Sequence, residues 1–575
     1  MVLAQVRPGA YYDSVVLMQL QRALMALPGV QEAGAVMGTE ANKDVLAQSN
    51  LTTAAVTAAK ADDLVIVVQA ETDAAAQNAI DQIDTLLTRR SSSDSTNGYR
   101  PKSLEAATQL LPAAQWVLVS TPGRYAAGVA QEALRLGKHV FLYSDNVSLE
   151  DEIVLKQRAA QQGLLVMGPD CGTAIVNGVG LGFANRVRRG AIGVVGASGT
   201  GLQQVTARIH QLGSGITHAL GTGGRDLSEK VGAVTARQSL DLLASDPDTK
   251  VIVLISKPPA AQVVDELLRV AGCVGKPVVI DFIGYRPAET QRGNVYFVKT
   301  LDEAAELAVE LAGFEISQSL NLQSPVSSPF APSQKYLRGL FSGGTLAYEA
   351  QLLLQEYLPV VYANAPLDKR LKLAKSTVSQ GHTIVDLGED EFTVGRLHPM
   401  LDHELRIKRL HQEAADPETA VILLDVVLGD GAHPDPASEL APAIAEAIVT
   451  AEDAGRHLAV IAVVVGTDAD PQNLDAQVEQ LEAAGVLVEF NNEIAVRRAG
   501  AMVQALSPAS GGKPVDLTVL QQPVAAINVG LESFTASLTD QGAAVIQVDW
   551  RPPAGGNERL AGILARMKST RNKEQ

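Results

Sequence analysis

Cysteine is scarce in this chain. Only Cys171 and Cys273 occur in 575 residues, which excludes a disulfide framework or a Cys-rich metal site and suits a reducing compartment. Basic charge is in deficit as well. With 47 Lys and Arg against 64 Asp and Glu, the net charge is −17, so nucleic acid and anionic membrane are excluded as main partners, since both reward basic patches. No run of about 20 apolar residues occurs, and no charged segment followed by an apolar stretch opens the chain at Met1. The expectation is a cytoplasmic protein with no membrane association. Motifs are missing too: there is no G-x-S-x-G, no Walker A lysine motif, no kinase signature set and no H-E-x-x-H. His398, His403, His433 and His457 lie among carboxylates without ligand spacing, so no metal is expected, and plain hydrogen-bonding histidines are the alternative to a general base or electrophile at His398 and His433.

Aromatic residues make up 4% of the chain while hydrophobic residues reach 46%. Small and aliphatic residues must therefore build the core, a composition that favours buried parallel sheets flanked by helices. The length exceeds the roughly 250 to 300 residues at which one core stops growing, so several domains are expected.

Alternation of strand and helix patterns supports this reading. Val2–Val6, Ala33–Met37 and Leu64–Gln69 read as strands, with helical spacing over Asp13–Met25 and Asp73–Leu87, and make a small domain of residues 1–90. A polar stretch, 91–102, reads as a linker. Strand and helix patterns alternate again over 103–188 and 189–315, and a Pro- and Ser-broken segment, 316–334, reads as the main interdomain linker. A second α/β body follows over 335–575. The fold class expected is α/β, with several doubly wound, Rossmann-like or flavodoxin-like domains and mostly parallel sheets.

Two turns carry the chemistry. The first lies in Ala191–Gly201 (AIGVVGASGTG), where an apolar strand enters small residues and then a helix. Gly196, Gly199 and Gly201 let the backbone approach a ligand, Ser198 and Thr200 offer hydroxyls, and the helix N-terminus favours an anion. The second is Phe341-Ser342-Gly343-Gly344-Thr345, also opening a helix. Ser198, Gly199, Thr200, Gly223, Gly224, Gly343, Gly344 and Thr345 are the candidate phosphate or substrate ligands. Arg225, Lys257 and His398 are the candidate catalytic residues, supplying charge or orientation. Arg225 and Lys257 each have the alternative of being solvated surface residues. The turn Gly168-Pro169-Asp170-Cys171-Gly172-Thr173, after a strand, reads as a site wall or a structural turn.

These same stretches carry a family likeness. Met167–Thr173 (MGPDCGT), Gly193–Gly201, Gly221–Asp226, Ser342–Glu349 and Asp386-Leu387-Gly388 resemble a succinyl-CoA synthetase alpha chain joined to the carboxyl-terminal part of its beta chain. Across the whole chain, YDSVVLMQL, VMGTEANK, LYSDNVSLEDEI, GITHALGTGGRDLS, DEFTVGRLHPMLD and WRPPAGGN resemble the FdrA family. In succinyl-CoA synthetases two helix N-termini point at a phosphohistidine, and the resemblance implies that the Ser198 and Gly343 turns correspond to them. Where the synthetase has Gly-His-Ala-Gly-Ala, this chain has Gly284-Tyr285-Arg286-Pro287-Ala288, and no ATP-grasp part is read. On this likeness 103–188 is a CoA-binding-like Rossmann domain, 189–315 a flavodoxin-like synthetase domain, and 335–575 a second, ligase-like domain with a C-terminal extension.

FdrA-like chains are also identified as subunits of oxamate carbamoyltransferase in allantoin breakdown. The resemblance thus implies carbamoyl transfer between oxalurate or oxamate and phosphate, with phosphate or carbamoyl phosphate as ligand and other carbamoyltransferase subunits as partners in a hetero-oligomer. The alternatives are an NDP-forming acyl-CoA synthetase, for which CoA is the further ligand, and a non-catalytic scaffold subunit.

Overall fold

The structure is a computed structural model and describes residues 1–10, 14–39, 42–43, 46–47, 49–60, 63–88, 101–121, 123–315, 330–393, 396–506, 522–529 and 531–549. The expected linkers 91–102 and 316–334 fall largely outside the described residues, and WRPPAGGN lies wholly outside them. The architecture is α/β, in two compact units, Met1–Ser507 and Pro508–Gln575.

The amino-terminal part is a three-stranded antiparallel sheet in which Leu64–Ala70 lies between Val2–Arg7 and Val30–Met37. Leu64, Ile66 and Val68 face Leu17, Leu20 and Leu24 of the Ser14–Met25 helix and Ala79 and Ile83 of the Asp73–Thr88 helix. The alternate residues, Val65 and Val67, face Leu51 and Val56. Period-two alternation therefore buries both faces of the central strand. A short parallel sheet follows, formed by Trp116–Val119, His139–Leu142 and Val166–Met167.

Two larger sheets position the site. In the eight-stranded one, Arg189–Gly196 is central, with Ile216–Gly221 parallel on one side and Val251–Ser256 parallel on the other. In the six-stranded, all-parallel one, Tyr336–Phe341 is flanked by His382–Asp386 and Thr419–Val427. Each flanked strand is the point where the chain's winding direction reverses, and crevices for ligands open at the carboxyl ends of such strands. Fully buried runs such as Val251–Ser256 and Ala459–Val465 fit sheets covered on both faces.

One helical layer serves both sheets. Leu202, Val205 and Ile209, Leu346 and Ala350, Leu301 and Ala305, and Val496 and Ala499 share a single core with Val194 and Val253 of one sheet and Leu337 and Leu423 of the other. Both Gly-turn helices, Gly199–Gln211 and Gly344–Leu354, lie in this shared layer. Polar ties reinforce it: Asn185 Nδ2 donates to Leu428 O at 3.0 Å and to Asp470 Oδ2 at 2.8 Å.

The second unit holds a parallel pair, Ala525–Val529 and Ala544–Val548, joined through the Glu532–Asp540 helix.

Acidic side chains are buried inside the helical layer. Asp302 accepts from Gln204 Nε2 at 2.9 Å and from the Asn492 N–H at 3.0 Å, while Glu349 accepts from the Leu301 N–H at 2.9 Å and Asn492 Nδ2 at 2.7 Å. Asp281 is fully buried, and neither of its carboxylate oxygens has a hydrogen-bond partner. Burial pushes its carboxyl up to about 8, and that of Glu349 is also raised well above its usual range. A raised carboxyl stays protonated in the folded chain while the unfolded chain ionises near pH 4, so stability falls as pH rises from there to about 8. The Asp281→Asn variant escapes this penalty. It is expected to match the parent near pH 3.5 and to exceed it by roughly several kcal/mol at pH 8.5, read from urea midpoints; a pH-independent difference would refute a protonated Asp281.

Candidate functional site

The Gly199–Gln211 helix begins where Arg189–Gly196 ends. Ser198 caps it, its Oγ accepting from the Gly201 N–H at 2.9 Å. The Gly344–Leu354 helix begins after Tyr336–Phe341 with Gly343 at its cap and no side-chain cap bond, leaving its first N–H groups for a ligand. The two starts meet. Ser198 Oγ lies 2.5 Å from Thr345 Oγ1, joining residues 147 apart in sequence. The approach depends on Gly343, because a Cβ there would lie 2.5 Å from Thr200 Cγ2. Thr173 is 1% exposed and its Oγ1 has no hydrogen-bond partner; it lies 3.5 Å from the Cβ position at Gly199. A buried, unsatisfied hydroxyl thus faces the first helix start.

Beneath the second turn sits Asp425, fully buried at the heart of Thr419–Val427. Its Oδ1 accepts from the Ser342 N–H at 2.7 Å and Ser342 Oγ at 2.9 Å, its Oδ2 from the Gly343 N–H at 2.9 Å, and Arg406 Nη2 lies 3.0 Å from Oδ1. Asp386, at the end of His382–Asp386, accepts from the Gly388 N–H at 2.9 Å. Its Oδ2 lies 2.4 Å from the Cβ position at Gly344, and Lys257 Nζ lies 3.3 Å from the same point. Burial pushes Asp386 up to about 7, against the opposing pull of the Lys257 charge. Lys257 makes no hydrogen bond or ion pair among the described residues; its ammonium lies 5.9 Å from the centre of the Tyr348 ring. It is the available cation at this junction.

His398 reaches the same place, with Nε2 3.0 Å from the Cβ position at Gly388. Burial, reinforced by the Arg406 charge, brings it down to about 4, so the ring is neutral at pH 7. Its Nδ1 accepts from the Met400 N–H at 3.3 Å, and the proton assigned by that bond sits on Nε2. His398 is therefore a hydrogen-bond donor toward the site, not a base.

The remaining candidates gather at the adjoining turn around Asp170, whose carboxyl burial pushes up to about 7 while the Lys257 and Arg225 charges pull it down. Gly223, at φ +86°, packs so tightly on the preceding turn that a Cβ would lie 2.4 Å from Pro169 O, and Gly224 faces Asp170, with Asp170 Oδ2 3.9 Å from its Cβ position. Arg225 donates through Nε to Glu152 Oε2 at 2.9 Å and through Nη2 to Val147 O at 2.8 Å. It fastens the 139–162 region to the eight-stranded sheet. Sequence reasoning overlooked Asp425 and the charge role of Asp386, while the turn ending in Thr173 was read as a site wall. A lone acid inside the apolar run TAVILLDVV was the available signal for Asp425.

His403, His433 and Glu439 place one ligand atom each within 4.8 Å of one another. The spacing suits a metal, but the hydrogen bonding does not. His433 Nδ1 accepts from the Asp435 N–H at 3.1 Å, and Nε2 lies 3.3 Å from Glu439 Oε1, which uses the lone pair and the proton that a neutral imidazole has. Burial and the adjacent Arg406 charge hold His403 down at about 2, and neither of its ring nitrogens has a hydrogen-bond partner. His457 packs its ring on Phe330 at 5.1 Å.

Gly343→Ala drives a methyl group into Thr200. The variant is expected to lose about 1 to 3 kcal/mol in denaturant unfolding and to weaken phosphate binding in titration calorimetry. Unchanged phosphate affinity and stability would show that the close approach is dispensable.

Three family models match: a CoA-ligase model over residues 340–502, a CoA-binding domain over 187–284, and an AllF heavy metal-associated domain over 1–102. Residues 1–102 contain neither cysteine nor histidine, so the thiolate and imidazole ligands are absent there. Among solved structures, ATP citrate lyase of Methanothrix soehngenii with citrate and coenzyme A is 17% identical, covering 39% of this chain and 44% of that one at a TM-score of 0.32. A succinate–CoA ligase alpha subunit of Aquifex aeolicus is 27% identical over 24% of this chain and 47% of its own length, so the chain spans about half of that relative. An ADP-forming sulfoacetate–CoA ligase subunit of Acholeplasma is 28% identical over 30% of this chain and 59% of its own length. The family matches overturn the expected carbamoyl transfer, because residues 340–502 and 187–284 are matched by a CoA-ligase model and a CoA-binding model. Among the described residues no helix is long and apolar enough to cross a membrane. The uncharacterized protein YahF of Escherichia coli (strain K12) is 42% identical over 490 residues, 84% of this chain and 95% of that one, and the chain belongs with it to a family of succinyl-CoA synthetase-like proteins.

Proposed function

We propose that the chain is the acyl-transferring part of an NDP-forming acyl-CoA ligase and holds a phosphate or acyl phosphate where the Gly199 and Gly344 helices meet. The observation that carries this reading is the 2.5 Å contact of Ser198 Oγ with Thr345 Oγ1, with Lys257 Nζ close to Gly344. Two helix N-termini and an ammonium favour an anion with several charged oxygens. Ser198, Gly199, Thr200, Gly344 and Thr345 are its ligands, Lys257 its counter-charge, and His398 Nε2–H a donor toward a developing oxyanion. Gly223, Gly224 and Arg225 shape the crevice wall through the Gly168–Asp170 turn. Membership of the FdrA branch of the family is part of this reading.

CoA is the group-accepting ligand that the family models imply. The CoA-binding model that implies it matches residues 187–284. Partner chains are part of the reading: a hetero-oligomer completes the nucleotide-dependent step, and the protein is cytoplasmic.

The test supplies ATP, CoA and a small carboxylic acid to the chain, alone and with its co-purifying chains. CoA thioester with release of ADP and phosphate is expected in the complex. Lys257→Ala should lower kcat/KM roughly a hundredfold, the scale of one charge-stabilising group, with the fold intact by circular dichroism. Absence of thioester with every acid offered, together with no phosphate binding by the isolated chain, would overturn the reading.

A further inference from the structure

Asp170 stands on the turn that flanks the first helix start. The turn is held firmly: the Asp170 N–H donates to Ser144 O at 3.0 Å and the Cys171 N–H to Leu142 O at 3.2 Å. Gly172 Cα lies 3.7 Å from the Cβ position at Gly199, and Pro169 O lies 2.4 Å from the Cβ position at Gly223. The turn is thereby wedged between the Gly199 helix start and the Gly223-Gly224 turn. At φ +54° Asp170 occupies the left-handed region, which Asp and Asn adopt more readily than most residues.

The Asp170 carboxylate has no hydrogen bond or ion pair among the described residues, and the residue is exposed, so a ligand can reach it. Charged groups surround it: Asp145 beyond the His139–Leu142 strand, Asp390 at the start of the Asp390–Thr393 helix, Lys257 after Val251–Ser256, and Arg225. The Lys257 charge acts on Asp170 and Asp386 alike, which ties the carboxyl to the proposed phosphate site. Desolvation by the surrounding protein, with the Asp390 and Asp145 charges, sets it at about 7, where a carboxyl both takes up and releases a proton near neutrality. Its neighbours are less suited to that task. Burial pushes the Cys171 thiol up to about 12, His398 Nδ1 is occupied by the Met400 N–H, and Asp386 is buried with Oδ1 on the Gly388 N–H.

We infer that Asp170 is the proton carrier of the site. As a nucleophile bonds to the carbonyl carbon of an acyl phosphate, its proton passes to the Asp170 carboxylate. As the carbon–oxygen bond to phosphate breaks, that proton passes to the departing oxygen. Phosphate leaves as hydrogen phosphate and the carboxylate is restored, so no outside acid or base is consumed. That the nucleophile is the CoA thiol rests on the proposed ligase reading; proton exchange between Asp170 and a bound phosphate does not.

The test uses the full chain with inorganic phosphate, and then with acetyl phosphate and CoA. Asp170→Asn keeps the size of the side chain and suits the left-handed backbone, but removes the exchangeable proton. In calorimetry at pH 7.5, repeated in buffers of different ionisation enthalpy, phosphate binding is expected to draw a proton onto the parent, because a bound anion raises a neighbouring carboxyl. In Asp170→Asn that uptake should fall, while phosphate affinity holds or tightens because a negative charge is gone. With acetyl phosphate and CoA, the parent's kcat should rise through pH 7 to a plateau. Asp170→Asn should be slower by roughly a hundredfold at pH 7, the scale of a positioned general base, and climb with pH as the thiol ionises unaided; Asp170→Glu should restore part of the plateau. Should Asp170→Asn not fold, Asp170→Glu must shift the parent's pH limb. Unchanged proton uptake in Asp170→Asn, a rate loss of the same factor at every pH, an unshifted limb in Asp170→Glu, or no phosphate binding by the parent would each overturn the inference. Absence of thioester, with the uptake lost in Asp170→Asn, counts against the ligase reading and leaves the proton carrier standing.

Discussion

Asp425 carries the structure of the site. Its carboxylate is sealed under the six-stranded sheet's carboxyl edge, where it gathers the Ser342 and Gly343 N–H groups and the Ser342 hydroxyl, with the Arg406 guanidinium as counter-ion. A buried charge of this kind is tolerated only when its hydrogen-bonding capacity is filled. Filling it fixes the turn, and fixing the turn aims the Gly344 helix at Ser198. The shared helical layer then does the rest, because both Gly-turn helices pack on the same apolar core and cannot separate without opening it.

The chain is strongly acidic overall, yet the proposed site is one for an anion. Local geometry prevails over net charge here: two helix N-termini and one uncommitted lysine act at contact distance, whereas remote carboxylates act through solvent and salt. Asp386 sharpens this. Burial brings it up to about 7, so near neutrality its negative charge is partly neutralised and the Lys257 field is less offset. His398, neutral and with its proton directed toward Gly388, adds a donor without adding charge.

The proposed phosphate site does not by itself name its acceptor. The same donors would serve a carbamoyl phosphate or an acyl phosphate, which is why motif likeness led toward carbamoyl transfer and the matched CoA-ligase and CoA-binding families led elsewhere. Function follows from the whole site, including what sits beside the phosphate.

Strand, turn and helix were legible because each rests on local rules. Buried aliphatic runs such as VIVLIS, small-residue turns and helical spacing over Gly199–Gln211 need only neighbours in sequence, and both glycine turns were visible as paired helix starts. Tertiary structure alone decided which candidates meet. Ser198 and Thr345 touch across 147 residues, while Arg225, equally plausible from its glycine-rich turn, is paired with Glu152 from 73 residues upstream. It also decided protonation: the His433 lone pair is taken by the Asp435 N–H, and Asp281 is neutral because no donor reaches it. Burial, charge pairing and the allocation of lone pairs depend on groups far apart in the chain, and a residue type does not disclose them.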